Sequence, residues 1–377
     1  MKKKIIIIGA GVAGLVLANI LKKNSDYEFI IYEKNDSLIL DQGYGIQLSV
    51  NSISILNQIG FEKINYNEIN NPSYLDFYNI NYKKITDLDL TVFNNEKNKY
   101  TTLKRSTLIK FLRNELFSNS IKFGKMITNL EQNSKKINIE FQDGTRDKAD
   151  YLVVSDGVFS KTKSVIEKKE FKKNYYGALA IRSNLNSSNI SQLNRKNISL
   201  LMGSDAHIVV YPVNKKEDMN LVCVVRQSLK NLSNPLSVLK KTLFRENKNL
   251  INLFKDNLTS WPIYTSIKPI KSIYENVFYI GDAFYTFPPT MAQGASQSIE
   301  SANEIFKLLD QQEENIQDKY FTNRLKRTKK IIFRSKLNFI FFHLSNSFLR
   351  IIRNLIIKNI TKKKFFKEIY LGNIFRK

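Results

Sequence analysis

The chain opens on an almost unbroken run of β-branched residues. Lys4–Gly9 (KIIIIG) has the pattern of a strand buried on both faces of a parallel sheet. Helix Leu15–Lys23 and strand Tyr27–Tyr32 follow, and the short apolar runs Tyr151–Val154 and Val277–Ile280 read as further buried strands. Between them the pattern changes. Pro72–Tyr100 alternates polar and apolar positions (LDFYNINY, ITDLDLTVF), as antiparallel strands do. Gly177–Arg182, Ile198–Met202, His207–Val213 and Met219–Arg226 extend a β-rich region. Helical periodicity marks Asn51–Ile59, Ser106–Phe117, Ala295 to about Leu309, and a tail after Gln311. The fold expected is α/β: a Rossmann-like, doubly wound domain interrupted by a β-sheet domain, with a C-terminal helical tail.

Composition narrows the class. The 377 residues are 42% hydrophobic, ordinary for a globular protein with a large core. The single cysteine, Cys223, excludes an internal disulfide and fits a reducing compartment, hence a cytoplasmic location. The two histidines, His207 and His343, are far apart, and no His/Cys cluster has metal spacing. No apolar run reaches the roughly 20 residues a membrane-spanning helix needs. The basic, apolar N-terminus contains glycines that fit a first strand better than a signal peptide. A net charge of +25 raises nucleic acid or acidic lipid as partners. The lysines are spread along the chain without a nucleic-acid-reading motif, so no nucleic-acid partner is expected. The tail, basic and aromatic to Lys377, reads either as a helix packed on the first domain or as an amphipathic anchor at an acidic membrane surface.

The candidate chemistry lies at the strand ends. Gly9, Gly11 and Gly14 follow the first strand in the G-x-G-x-x-G order that allows a tight turn, close approach to a pyrophosphate and close helix-on-strand packing. Glu33, about twenty residues on, ends the second strand, where a carboxylate can hold a ribose hydroxyl. This fingerprint alone does not separate FAD from NAD. In Val277–Glu300 a strand gives way to Gly281-Asp282, then to a loop with Pro288 and Pro289, then to a helix opened by Gly294. Asp282 is placed to accept hydrogen bonds from a sugar or to hold water near phosphate. The free N–H groups of the helix start face an anion. Period two puts His207, Val209 and Tyr211 on one face of their strand.

Gly281-Asp282-Ala283, Pro289 and Gln293-Gly294-Ala295 resemble the second flavin motif of group A flavoprotein monooxygenases, the aromatic hydroxylases that include para-hydroxybenzoate and salicylate hydroxylases. Gly43–Ser49 (GYGIQLS), Arg105 and the turn Ser155–Ser160 (SDGVFS) match further segments in the family order. The resemblance implies an FAD-binding domain over 1–70, 101–170 and 271–310, a β-rich substrate domain over 71–100 and 171–270, and a helical tail over 311–377. It implies cofactor contacts from Gly9, Gly11, Ala13, Gly14, Glu33, Lys34, Gly45, Arg105, Asp156, Gly157, Gly281, Asp282, Gln293, Gly294 and Ala295. It also implies hydroxylation of a small phenolic substrate with NADH or NADPH and O₂ through a flavin hydroperoxide. His207 is then the base for the substrate phenol, with Arg182, Tyr211 and Pro289 as substrate contacts. A homodimer is a further expectation.

Some positions depart from the family or admit a second reading. Lys163 stands where the family carries an arginine, and Phe284-Tyr285 where relatives carry Ala-His. Arg105 also reads as a solvated helix-end charge, Arg182 as the partner of an acidic neighbour, and His207 as a sheet histidine bonded to backbone. His343-Leu344 and Arg353-Asn354 echo the tail of the salicylate-type branch. Two other functions stay open: a flavin-dependent reductase or epoxidase acting on an isoprenoid lipid, and a basic, non-catalytic binding protein with a vestigial nucleotide fold.

Overall fold

The computed structural model describes residues 2–38, 40, 44–133, 136–172, 174–229, 234–254, 258–361 and 367–371. Gly43 and the tail beyond Leu371 lie outside the described residues. The isoleucine run forms strand Lys3–Ile8, with Ile5–Ile8 buried at the centre of a five-stranded parallel sheet. Tyr27–Tyr32 and Ile121–Lys122 extend the sheet on one side, Tyr151–Val154 and Val277–Tyr279 on the other. Helix Val12–Leu21 packs against helix Gly294–Asp310 at this sheet, so the first and last motifs of the chain meet at the carboxyl ends of the two strands that flank Tyr151–Val154.

A seven-stranded sheet forms the second layer. Its order is Thr259–Thr265, Asn174–Asn186, Asp218–Arg226, Ala206–Pro212, Ile198–Met202, Tyr74–Asn79 and Lys84–Asp89. The pairings are antiparallel except between Ile198–Met202 and Tyr74–Asn79, which run parallel. Helix Pro235–Glu246, started by Asn234, whose side chain accepts the Leu236 N–H, covers part of this sheet. Alternation had not signalled it. A small sheet of Gly45–Leu48, Thr101–Lys104 and Ile69–Asn70 pairs Gly45 with Lys104 and so sets Arg105 beside the segment that begins at Tyr44.

Among the described residues the tail has two long helices, Ile316–Phe342 and Ser347–Thr361, and a short one, Lys367–Tyr370. The first is packed: Arg324 and Arg327 of this helix pair with Glu300, at 3.3 and 2.7 Å, and Tyr320 donates to the Tyr279 carbonyl at 2.9 Å. Arg353 of the second helix is buried and bonds Asn354 Oδ1 and the Phe341 carbonyl, which folds the tail back on itself. No helix among the described residues is long and apolar enough to cross a membrane.

Candidate cofactor and substrate site

The three glycines of the first motif have three different reasons to be glycine. Gly9 has φ +100° and lies so close to the Ser155 backbone that a Cβ would stand 2.8 Å from its carbonyl oxygen. Gly14 is pressed onto the turn before it, where a Cβ would fall 2.1 Å from the Gly9 carbonyl oxygen. Gly11 has open space on that side, with the nearest atom 4.0 Å away. The backbone there is free for close approach by a phosphate. No side chain caps the helix that follows, so its first N–H groups face outward. Glu33 accepts the Ala10 N–H at 2.9 Å and the Asn35 N–H at 3.0 Å, which fixes its carboxylate beside the glycine turn.

Two cavities meet at Gly11, Arg105, Ser155 and Gly157. The smaller, about 250 Å³, is lined by Gly9, Glu33, Lys34, Asp156 and Lys161. The larger, about 600 Å³, runs from Ala13, Asp282, Gly294 and Ala295 to the seven-stranded sheet. The shape suits an extended dinucleotide, with its nucleotide end in the small cavity and its ring end in the large one.

Two carboxylates along this path keep acceptor capacity that the protein does not fill. Asp156 Oδ1 is buried with no hydrogen-bond partner, and burial holds its carboxyl above the usual range against bonds from Ser160 and Thr162. Asp282 has accessible surface, but that surface faces the cavity, and burial lifts its pKa to about 6 against the pull of Arg105. Gly281, at φ +58°, lets Ala13 come close: a Cβ there would lie 3.1 Å from that of Ala13. Helix Gly294–Asp310 also starts without a side-chain cap, and a Cβ on Gly294 would meet nothing within 4 Å. Just before it, Ala292 holds a left-handed backbone, φ 51°, in the cavity wall. These unpaired acceptors, open glycines and uncapped N–H groups fit FAD.

Some motif residues serve the frame rather than the cavity. Gln293 is fully buried and donates to Ser49 Oγ at 3.3 Å. Gly45 lines the cavity, but it is glycine because Asn220, Val213 and Tyr211 stand within 2.8 Å of where its Cβ would be, and its N–H donates to Asn220 Oδ1 at 2.7 Å. Lys163 donates to the Ala283 carbonyl at 2.9 Å beneath the Tyr279 and Phe171 rings, tying the Asp156 turn to the Asp282 turn. Phe284 packs on Tyr320 and Phe321 of the tail helix, and the lining of the large cavity passes from Asp282 to Thr286. The family departure at Phe284 is therefore a joint between this turn and the tail.

His207, Val209 and Tyr211 all line the large cavity, as the strand period expects. Pro289 lies at its edge. Tyr211 is a buried neutral phenol, its pKa pushed up by burial. Arg182 has no acidic partner among the described residues, contrary to the acidic-neighbour reading. Its guanidinium instead lies over the rings of Tyr44 at 4.1 Å and Trp261 at 4.9 Å, in the cavity wall.

His207 has a partner that sequence distance concealed. His207 Nδ1 lies 3.0 Å from Nε2 of His343, at the end of the long tail helix. His343 Nδ1 lies 2.8 Å from the Phe339 carbonyl oxygen, so that nitrogen carries a hydrogen and donates. His343 Nε2 also lies 3.4 Å from the Val224 carbonyl, but the shorter Nδ1 contact favours the hydrogen on Nδ1, which makes Nε2 the acceptor and His207 Nδ1 the donor to it. His207 Nε2 is left as an acceptor. Burial, then the neighbouring His343, lowers the His207 pKa well below the usual value, and burial lowers His343 to about 4. Both rings are neutral at pH 7. That His343 is the only other histidine was the one available signal.

The comparisons with known proteins agree with this geometry. A family model described as FAD binding domain matches residues 2–335. The chain is 23% identical over 353 residues to 3-amino-4-hydroxybenzoate 2-monooxygenase of Streptomyces cremeus, covering 90% of this chain and 88% of that protein. It is 21% identical over 334 residues to salicylate hydroxylase of Pseudomonas putida, covering 81% and 76%. Klebsiella pneumoniae HpxO, solved with FAD and uric acid, has the same fold: TM-score 0.81 at 18% identity, over 98% of this chain and 95% of that one.

Proposed function

The chain belongs to the FAD binding domain family, and on that premise we propose that it is an FAD-dependent monooxygenase that hydroxylates a phenolic aromatic acid, using NADH or NADPH and O₂. One observation carries the reading. A single cavity has flavin-motif residues, Ala13, Asp282, Gly294 and Ala295, on one wall and Arg182, His207 and Tyr211 on another. When bound, FAD accepts electrons from the nicotinamide and activates O₂ for transfer of one oxygen atom to the ring.

The chain's own residues bind, orient and deprotonate. Asp156 and Asp282 would accept from the hydroxyls of the cofactor's sugar portions, and the backbone at Gly11 would carry the pyrophosphate. The N–H groups at Gly294 and Ala295 would stabilise negative charge on the bound ring. Arg182, held against the rings of Tyr44 and Trp261, takes the substrate carboxylate. A ring gains electron density as its phenol loses a proton, and His207 Nε2 is the acceptor for that proton, its tautomer held by His343. The lowered imidazole pKa keeps His207 neutral at pH 7, with Nε2 able to accept, and makes it a weak base.

The test is a screen of phenolic acids for stimulated nicotinamide oxidation by the purified holoenzyme, run beside Arg182→Gln. The reading expects stimulation by at least one acid and its loss in the variant. Equal stimulation by acids and by phenols without a carboxylate would remove Arg182 from the substrate site.

A further inference from the structure

The second tail helix, Ser347–Thr361, is apolar on two opposite sides. Its inner side is accounted for: Ile357 is buried, and Ile357, Ile360 and Thr361 line the large cavity. Its outer side presents Phe348, Ile351, Ile352 and Leu355, spaced i, i+3, i+4 and i+7 as one stripe. Phe348 is 68% exposed and Ile351 60%, too much for side chains that finish a core. The first tail helix has an outer stripe of another composition, Lys329, Phe333, Lys336 and Ile340, in which bases and large apolar side chains alternate; Phe333 is 68% and Ile340 51% exposed. Contiguous exposed apolar side chains of this kind mark an interaction surface.

Charge identifies the partner. From Lys319 to Thr361 the sequence has eleven Lys and Arg and no Asp or Glu; Arg324 and Arg327 are taken up by Glu300, Lys319 by Glu313, and Arg353 is buried, while Lys326, Lys329, Lys336 and Lys358 are exposed. A second copy of the chain would bring an equally basic face against this one, and like charges would oppose the contact. An anionic lipid surface complements both features, since apolar side chains enter the headgroup boundary while Lys and Arg meet the phosphates. A helix of 15 residues is about 22 Å long by its rise per residue, enough to lie in the interface and too short to span the hydrocarbon.

We infer that the outer face of helix Ser347–Thr361, with the basic stripe of the helix before it, docks on the surface of an anionic bilayer. The helix is a wall of the large cavity, so docking sets that wall at the lipid boundary. This inference does not depend on the reaction assigned above. It also joins the two sequence readings of the tail: the inner faces are packed and the outer face is the anchor.

The experiment is sedimentation of the full-length holoenzyme with vesicles of phosphatidylcholine alone or mixed with phosphatidylglycerol. The expected result is binding to the mixed vesicles, weakened by salt, with little binding to phosphatidylcholine alone. Phe348→Ser, Ile351→Ser and Leu355→Ser together should weaken it roughly 100-fold or more. Leu355→Trp, a single change at an exposed position, should show a blue-shifted emission on the mixed vesicles. No binding to mixed vesicles, unchanged binding by the triple variant, or an unshifted tryptophan overturns the inference. So does light scattering that finds a dimer which the triple variant converts to monomer, because a second copy would then own this face.

Discussion

Replacing Asp282 by Asn removes one negative acceptor from the cavity wall and little else. The carboxylate has no acidic neighbour to relieve, and Arg105 is the cation that draws its pKa down. Burial outweighs that pull and holds the pKa at about 6, so without cofactor the group is ionised at pH 7 at a cost. Sugar hydroxyls of FAD donating to it would repay that cost. A hydrogen bond to a charged group contributes about 1.5–3 kcal/mol, so the variant should bind FAD roughly 10- to 150-fold more weakly. The assay is titration of apoprotein with FAD, followed by flavin fluorescence. The pH dependence supplies a second readout. Cofactor binding favours the ionised carboxylate, so FAD affinity should rise with pH through about 6 and level off above it. Asp156, also raised by burial, titrates in the same direction and remains in the variant, so the slope should shrink without vanishing. Unchanged affinity at pH 7 together with an unchanged slope would refute this role for Asp282.

Three further outcomes follow from the same geometry. His207→Gln should keep FAD and nicotinamide oxidation, while hydroxylated product falls roughly 10²–10⁴-fold and hydrogen peroxide rises; unaltered coupling of oxygen to product would make His207 a sheet residue only. Arg182→Gln should raise the Kd for a phenolic acid roughly 10- to 150-fold and leave a phenol without carboxylate unaffected, by flavin difference spectra. His343 titrates at about 4 in the fold and near 6.5 in the unfolded chain, so its contribution to stability is intact above pH 6.5 and lost as pH falls toward 4. By pH 5 the loss is about 2 kcal/mol, with His207 adding in the same direction; urea midpoints of the parent and His343→Phe should diverge in their pH slope.

The half of the site proposed to hold FAD was legible as a set of turns because its requirements are local. Gly9 and Gly14 are demanded by backbone contacts and Gly281 by its positive φ and the side chains of Ser298 and Ala13, and a strand followed by glycines and an acid is visible in one window. The isoleucine run at the N-terminus was equally plain, since a strand covered on both faces leaves no alternation. The substrate half depends on contacts across the chain. The period placed His207 and Tyr211 on one face, but nothing local to either histidine said that residue 343 would meet residue 207. Arg182 required Tyr44 and Trp261 to be brought beside it from two distant segments. The substitution at Phe284 had no explanation until the tail helix supplied Tyr320 and Phe321. Helix Pro235–Glu246 was missed although it carries a start signal, Asn234-Pro235, and apolar residues at helical spacing, Leu236, Leu239 and Leu243, because it lies inside a region of strands.

The central claim is that oxygen from O₂ reaches an aromatic ring in the cavity shared by the Asp282 turn and the His207 strand. The most direct measurement is turnover under oxygen-18-labelled O₂ with salicylate, 4-hydroxybenzoate, 6-hydroxynicotinate and 3-amino-4-hydroxybenzoate as probes, restricted to those that shift the flavin absorption of the holoenzyme. The account predicts a hydroxylated product carrying one labelled oxygen. A probe that binds and accelerates nicotinamide oxidation while all of the label is recovered as hydrogen peroxide would contradict it, and so would a holoenzyme whose flavin none of the probes perturbs.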